Sequence, residues 1–173
     1  MFIRVKSRKN SSGKTLKYAY LVLTKRRKKS KKSPKQKIIA YLGSVVELKN
    51  KTQGLEKPVK TMQEAIKMMY YDLLSFNDFK QKGNMFLKNE IIVDFKKKQV
   101  KDQIKGKKIC LKVNDGFITE YTLKKLLNYL PPQKTEKEIG KNLAENLILG
   151  GFKPSDALFL EIFRSVSKEF HRK

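Results

Sequence analysis

Cys110 is the sole cysteine and His171 the sole histidine of the 173 residues. One thiol cannot form an intrachain disulfide, and one thiol with one imidazole cannot complete the four-ligand set of a structural zinc site, so a disulfide scaffold and a zinc finger are both excluded. No stretch approaches the ~18 consecutive apolar residues of a membrane span, and the opening MFIRVKSRK has no apolar signal-peptide core. The expectation is a soluble, cytoplasmic chain with no membrane partner. Arginine is scarce as well: of the 41 basic residues only Arg4, Arg8, Arg26, Arg27, Arg164 and Arg172 are arginines. That balance favours compact lysine charges on phosphate over the planar, bidentate fork that reads guanine edges.

Catalytic signatures are missing too. The chain contains no GxxxxGK[ST], GxGxxG or HExxH and no nucleophile elbow. Metal-dependent phosphodiester cleavage needs carboxylates that converge, for which Asp72, Asp94, Asp115 and Glu120 are the candidates. Asp72 falls inside an amphipathic helix, Asp94 ends a strand and Asp115 sits in a turn, where each has an ordinary structural use. His171, in the terminal HRK, reads as an end residue rather than a general base. No catalytic residue, metal or cofactor is therefore expected, and a nuclease ranks last among the functions considered.

What the sequence does carry is positive charge, a formal +25 overall. Residues 1–60 hold 19 Lys and Arg against two acids, and the remainder 22 against 14. Nine of the thirteen residues from Lys25 to Lys37 (KRRKKSKKSPKQK) are basic. A run of this kind between two strand-like segments reads as a hairpin arm aimed at a polyanion, either nucleic acid or an anionic membrane surface. The membrane surface is the weaker choice, because no basic helix carries the apolar face that interfacial binding needs. The residues expected on phosphate are Arg4, Lys6, Arg8, Lys9, Lys25, Arg26, Arg27, Lys28, Lys29, Lys31, Lys32, Lys35 and Lys37. A lysine-heavy chain can also reflect genomic base composition alone, and that bland reading stands beside the functional one.

Periodicity predicts an α+β fold. Phe2–Lys6, Lys17–Thr24 and Ile38–Gly43 alternate as three antiparallel strands, with RKNSSGK as the first turn. After a linker over 47–60, Thr61-Met62-Gln63-Glu64 matches a helix-capping box, and Met62, Ile66, Met69, Leu73 and Phe76 share one helical face expected to cover the sheet. Strands follow at Glu90–Phe95 and Lys108–Val113, separated by a second basic stretch that suits another cationic hairpin. Asn114-Asp115-Gly116 is a turn and Thr119–Tyr129 a short helix. A capping box at Thr135–Glu138, a stop at Gly150-Gly151 and a cap at Ser155 define two last helices, packed as a helical hairpin or helix-turn-helix. The second of these opens Ser-Asp-Ala-Leu-Phe-Leu, too apolar and acidic to read DNA. A protein contact or self-association through these helices is the better expectation. Two regions result, 1–80 as a nucleic-acid-binding sheet with its helix, and 90–173 as a smaller mixed region. Tyr18, Tyr20 and Tyr41 are base-stacking candidates if they face solvent and core if they face the helix at Met62, with core the favoured reading.

The pattern MFIRVKSRKNSSGKTLKYAYLVLTKRR followed by QKIIAYLGSVVEL resembles the amino-terminal segment of insertion-sequence transposases with a DDE catalytic core. There, too, a short alternating strand, a Lys/Gly-rich turn, an aromatic strand and an arm lead to a strand closing in Leu-Gly or Phe-Gly, and then to a helix. The resemblance covers about residues 1–48. It implies a DNA-contacting module, while the spaced Asp, Asp and Glu of the catalytic core have no place after Thr61, so transposition is not expected. The charge alone does not choose between DNA and RNA: a Lys-rich arm on a small sheet is also how ribosomal proteins hold rRNA. The two readings are a DNA-binding protein, favoured by the resemblance and associated with the nucleoid, and a ribosome-associated RNA-binding protein.

Overall fold

The computed structural model describes residues 1–25, 35–54, 61–132 and 135–171. In chain order its elements are β1 (Phe2–Lys9), β2 (Thr15–Lys25), β3 (Lys35–Glu47), α1 (Met62–Phe76), β4 (Lys80–Lys82), β5 (Met85–Lys88), β6 (Ile91–Asp94), β7 (Gln99–Asp102), β8 (Ile109–Val113), β9 (Gly116–Ile118), α2 (Glu120–Leu127), α3 (Glu136–Leu149) and α4 (Asp156–His171). The fold is α+β, and its opening is the three-stranded antiparallel sheet that alternation predicts. The β1–β2 turn closes as the Asn10 carboxamide oxygen accepts the Lys14 backbone N–H at 2.8 Å. Gly13 completes it in the left-handed region at φ +76°.

β3 does not stop at Gly43 but runs on to Glu47, where it pairs in parallel with β8, Val45 lying beside Cys110. Gly43 has φ +135°, and a Cβ there would stand 2.6 Å from the Lys108 carbonyl oxygen. The Leu-Gly pair is therefore where two backbones meet rather than where a strand ends. β8 turns at Asn114-Asp115 into β9, completing a five-stranded sheet in the order β1-β2-β3-β8-β9. Strands from both of the sequence regions share this sheet.

β4–β7 form a separate antiparallel meander. The second basic stretch is not a hairpin by itself: it supplies the turn and β7, which pairs back on β6, and the turn is anchored where the Asp94 carboxylate accepts the Lys97 N–H at 2.9 Å. β4 and β5 are too short for their periodicity to mark them.

The α1 helix starts where expected, the Thr61 hydroxyl accepting the Glu64 N–H at 3.2 Å, but it does not cover β1 and β2. Its buried side chains, among them Ile66, Met69, Tyr70 and Leu73, join Phe86, Val93, Leu111, Ile118, Leu123, Leu143 and Ile162 in the main core. That core gathers the meander, one face of β8 and β9, and the apolar sides of α2, α3 and α4. The physical reason is chemical matching. The available face of β1 and β2 presents Arg4, Lys6 and tyrosines, whereas β8 presents Ile109, Leu111 and Val113. A small second cluster of Ala19, Leu21, Leu42 and Cys110, packed by Val45, Phe117 and Tyr121, fills the opposite face of the five-stranded sheet.

The stretch from Leu48 to Gln53 is fastened to the body rather than loose. The Asn77 side chain accepts the Lys49 N–H at 2.7 Å and donates to the Lys49 carbonyl at 3.2 Å, and Asn114 does the same for Lys51 at 3.1 and 3.0 Å. Capping boxes at Thr119 and Thr135 start α2 and α3. Among the described residues no helix is long and apolar enough to cross a membrane.

Candidate nucleic-acid interface

Residues 1–46 contain no Asp or Glu, so every charge on the first two hairpins up to that point is positive. Side chains alternate across a strand, and the register then sorts the cations by face. Arg4 lies across from Tyr20, Lys6 from Tyr18 and Arg8 from Leu16. Tyr20 lies across from Tyr41, and Val22 from Ile38. Arg4, Lys6, Arg8, Tyr18, Tyr20, Ile38 and Tyr41 accordingly share one face.

Two bulges in β3 produce this arrangement. The register skips Leu42 between the Ala19–Gly43 and Tyr20–Tyr41 pairs, and skips Ile39 between Leu21–Ala40 and Val22–Ile38. Had the register run on through Leu42 without this skip, Tyr41 would fall opposite Leu21 and turn to the other face, since a one-residue slip inverts a strand. With it, the Tyr41 ring lies 5.5 Å from Tyr20 and 6.3 Å from Tyr18, centroid to centroid. The Lys6 ammonium stands over the Tyr20 ring at 5.6 Å, a cation–π distance, and the Arg4 guanidinium donates to the Gln36 side-chain oxygen at 2.6 Å.

The preferred assignment of these tyrosines to the core is corrected. None belongs to either apolar cluster; Tyr18 and Tyr20 are half-buried, and Tyr41 is 42% exposed. Burial, then the neighbouring Tyr18 and Tyr20, raises the Tyr41 phenol above its ordinary pKa. The ring is thus neutral at physiological pH and does not repel phosphate.

On the opposite face the first acid of the chain is already engaged. Glu47 accepts from Lys17 at 2.8 Å and lies 4.0 Å from Lys112. The Lys17 hydrogen bond, with the charges of Lys17 and Lys112, lowers its pKa.

The thirteen residues expected on phosphate do not share one surface. Arg4, Lys6 and Arg8 are exposed on the tyrosine face. Lys9, Lys35 and Lys37 are also exposed, but the register assigns them to the other face. Lys25 ends β2 across from Lys35, at the end of the hairpin remote from the β8 pairing. Arg26, Arg27, Lys28, Lys29, Lys31 and Lys32 lie outside the described residues. What charge counting passed over is the aromatic and apolar content of the same face, Tyr41 with Ile38 at 48% exposed and Phe2 at 38%. The available signal was aromatic residues recurring on strands without acids.

Chain comparison adds no relative: no family model, curated protein or solved structure matches. The candidate catalytic acids each have a place of their own. Asp72 pairs with Lys51, Asp94 holds the β6–β7 turn, and Glu120 bridges Lys124 at 2.6 Å and Lys108 at 3.0 Å. Asp115 is exposed in the β8–β9 turn. Among the described residues no three His, Cys, Asp or Glu side chains are grouped so as to hold a metal ion.

Proposed function

We propose that this protein is a non-catalytic nucleic-acid-binding protein that grips the phosphate backbone with the cations of β1 to β3 and of the arm that joins β2 to β3. The observation that carries the reading is the acid-free stretch 1–46, whose exposed Arg4, Lys6 and Arg8 stand on one open sheet face. Lysine and arginine charges arranged without counter-charges release condensed counterions from a polyanion, and this supplies sequence-independent affinity. The resemblance of residues 1–48 to transposase amino-terminal segments favours DNA as the partner. Ribosomal RNA is the second reading, favoured by half-open tyrosines of the kind that accept unpaired bases.

Salt titration tests the proposal. Neutralising ~6 to 10 phosphates should lower affinity about 10³- to 10⁵-fold between roughly 50 and 200 mM salt, and a nearly flat response would refute it. Replacing Lys25–Lys32 by a short Gly-Ser turn should leave the fold intact, because stability depends weakly on loop length, and should reduce the slope. Crosslinking in native cells followed by sequencing of the bound nucleic acid separates chromosomal DNA from rRNA.

A further inference from the structure

We propose that Tyr41, flanked by Tyr20 and Tyr18, is a stacking platform for unpaired bases, so that the nucleic acid is engaged through a single-stranded stretch. The proposal rests on the nucleic-acid reading above and adds to it the form of the ligand. Three rings from two adjacent strands meet on one sheet face, with the central and most open ring braced on both sides. A ring held by neighbours loses little rotamer freedom when a base stacks on it. Every base has a π-face, so such a surface is tolerant of sequence.

The charges around the rings determine what can lie on them. Arg4, Lys6 and Arg8 line up on β1 along the rim of the tyrosines, and the strands forming this face carry no carboxylate before Glu47, which is engaged with Lys17 elsewhere. An apolar protein partner would have to bury these cations unpaired, which is costly. A second copy of the chain would bring the same cations against them. A duplex can satisfy the cations with its phosphates, but its bases are stacked inside and offer Tyr41 no ring face. A single strand supplies both groups at once, phosphates for β1 and base faces for Tyr41. The neutral phenol of Tyr41 suits that contact.

The test is fluorescence anisotropy of the full chain with a labelled single-stranded DNA, the single-stranded RNA of the same sequence, and the matching blunt duplex. Tyr41→Ala should weaken both single strands about 5- to 150-fold, the loss associated with one stacked base, while the duplex affinity and the salt slope stay as in the parent. Tyr41→Phe keeps the ring and should bind as the parent does; it also serves as the folded control if the alanine variant is unstable in urea. The comparison of the two single strands identifies whether RNA or DNA is the ligand. Unchanged single-strand affinity in Tyr41→Ala, with the salt slope intact, would overturn the platform and leave phosphate binding standing. Equal loss on single strand and duplex would assign Tyr41 a structural role and also overturn it. Absence of salt-dependent binding to all three probes would overturn both proposals.

Discussion

Replacing Gly43 by alanine should be far more damaging than the same change at Gly13, although both glycines have positive φ. At Gly13, φ is +76° and nothing lies within 4 Å of the position a Cβ would take. The substitution there costs only the left-handed penalty, about 1 kcal/mol. At Gly43 the backbone is at φ +135°, and the new methyl would meet the Lys108 carbonyl oxygen at 2.6 Å and the Ile109 carbonyl carbon at 2.7 Å. These are backbone atoms and cannot rotate away, so β3 must draw back from β8. Conformational strain of roughly 1–3 kcal/mol is then joined by loosening of the Ser44 N–H to Lys108 carbonyl bond at 3.2 Å and its neighbours, each about 1 kcal/mol. With two such bonds the total is about 3–5 kcal/mol. For a chain of this size that moves Tm down by roughly 6–20 °C, against about 2–4 °C for Gly13→Ala. Urea unfolding followed by circular dichroism, with the m-value unchanged, measures both. Equal shifts for the two variants would refute the close approach of β3 and β8.

Two further outcomes follow from other positions. The buried Cys110 thiol is pushed up to about 12 by desolvation, so it should resist thiol reagents at pH 8 until urea opens the fold. A raised folded pKa favours the native state fully below the unfolded value, and this contribution is lost as pH rises through the folded one. Stability should therefore fall in alkali, and less so in Cys110→Ala; rapid labelling of the native protein would refute the burial. Glu120 is held below its ordinary pKa by hydrogen bonds from Lys124 and then Lys108. Its contribution is present above the unfolded pKa and lost as pH falls through the lowered folded value, so Glu120→Gln should cost at most ~1 kcal/mol at neutral pH and nothing in strong acid. A difference that persisted in strong acid would show that packing, not charge, was lost.

Local chemistry made much of the fold legible. Alternation located β1 to β3, Thr119 and Thr135 marked helix starts, and Asn114-Asp115-Gly116 marked the β8–β9 turn, because each signal is confined to a few consecutive residues. The destination of α1 was not legible. Its apolar stripe specifies that a face is buried, not against what, and β8, β9 and the meander outcompete a sheet face bearing Arg4 and Lys6 for it. The site was half legible for a related reason. Positive charge is visible by counting, but the face on which Tyr41 lies depends on the bulge at Leu42, and no residue type at that position announces a bulge. The parallel pairing of Val45 with Cys110 joins segments with no local trace of one another.

The two flanks of β3 acquire their partners at very different times. β2 precedes it on the chain, whereas β8 emerges roughly 65 residues later, which at ~5–20 residues per second of synthesis is an interval of about 3–13 s. Throughout that interval the flank from Ser44 to Glu47 is bare, and along 35–41 the same flank has no strand partner among the described residues even in the finished fold. Bare strand edges recruit other chains, and lysines along them are a common deterrent. Lys35 and Lys37 lie on the part of this edge that stays unpartnered and suit that deterrent role. Neutralising them removes that guard while Ile38 and Ile39 remain exposed, so such a variant should be lost to aggregation during expression.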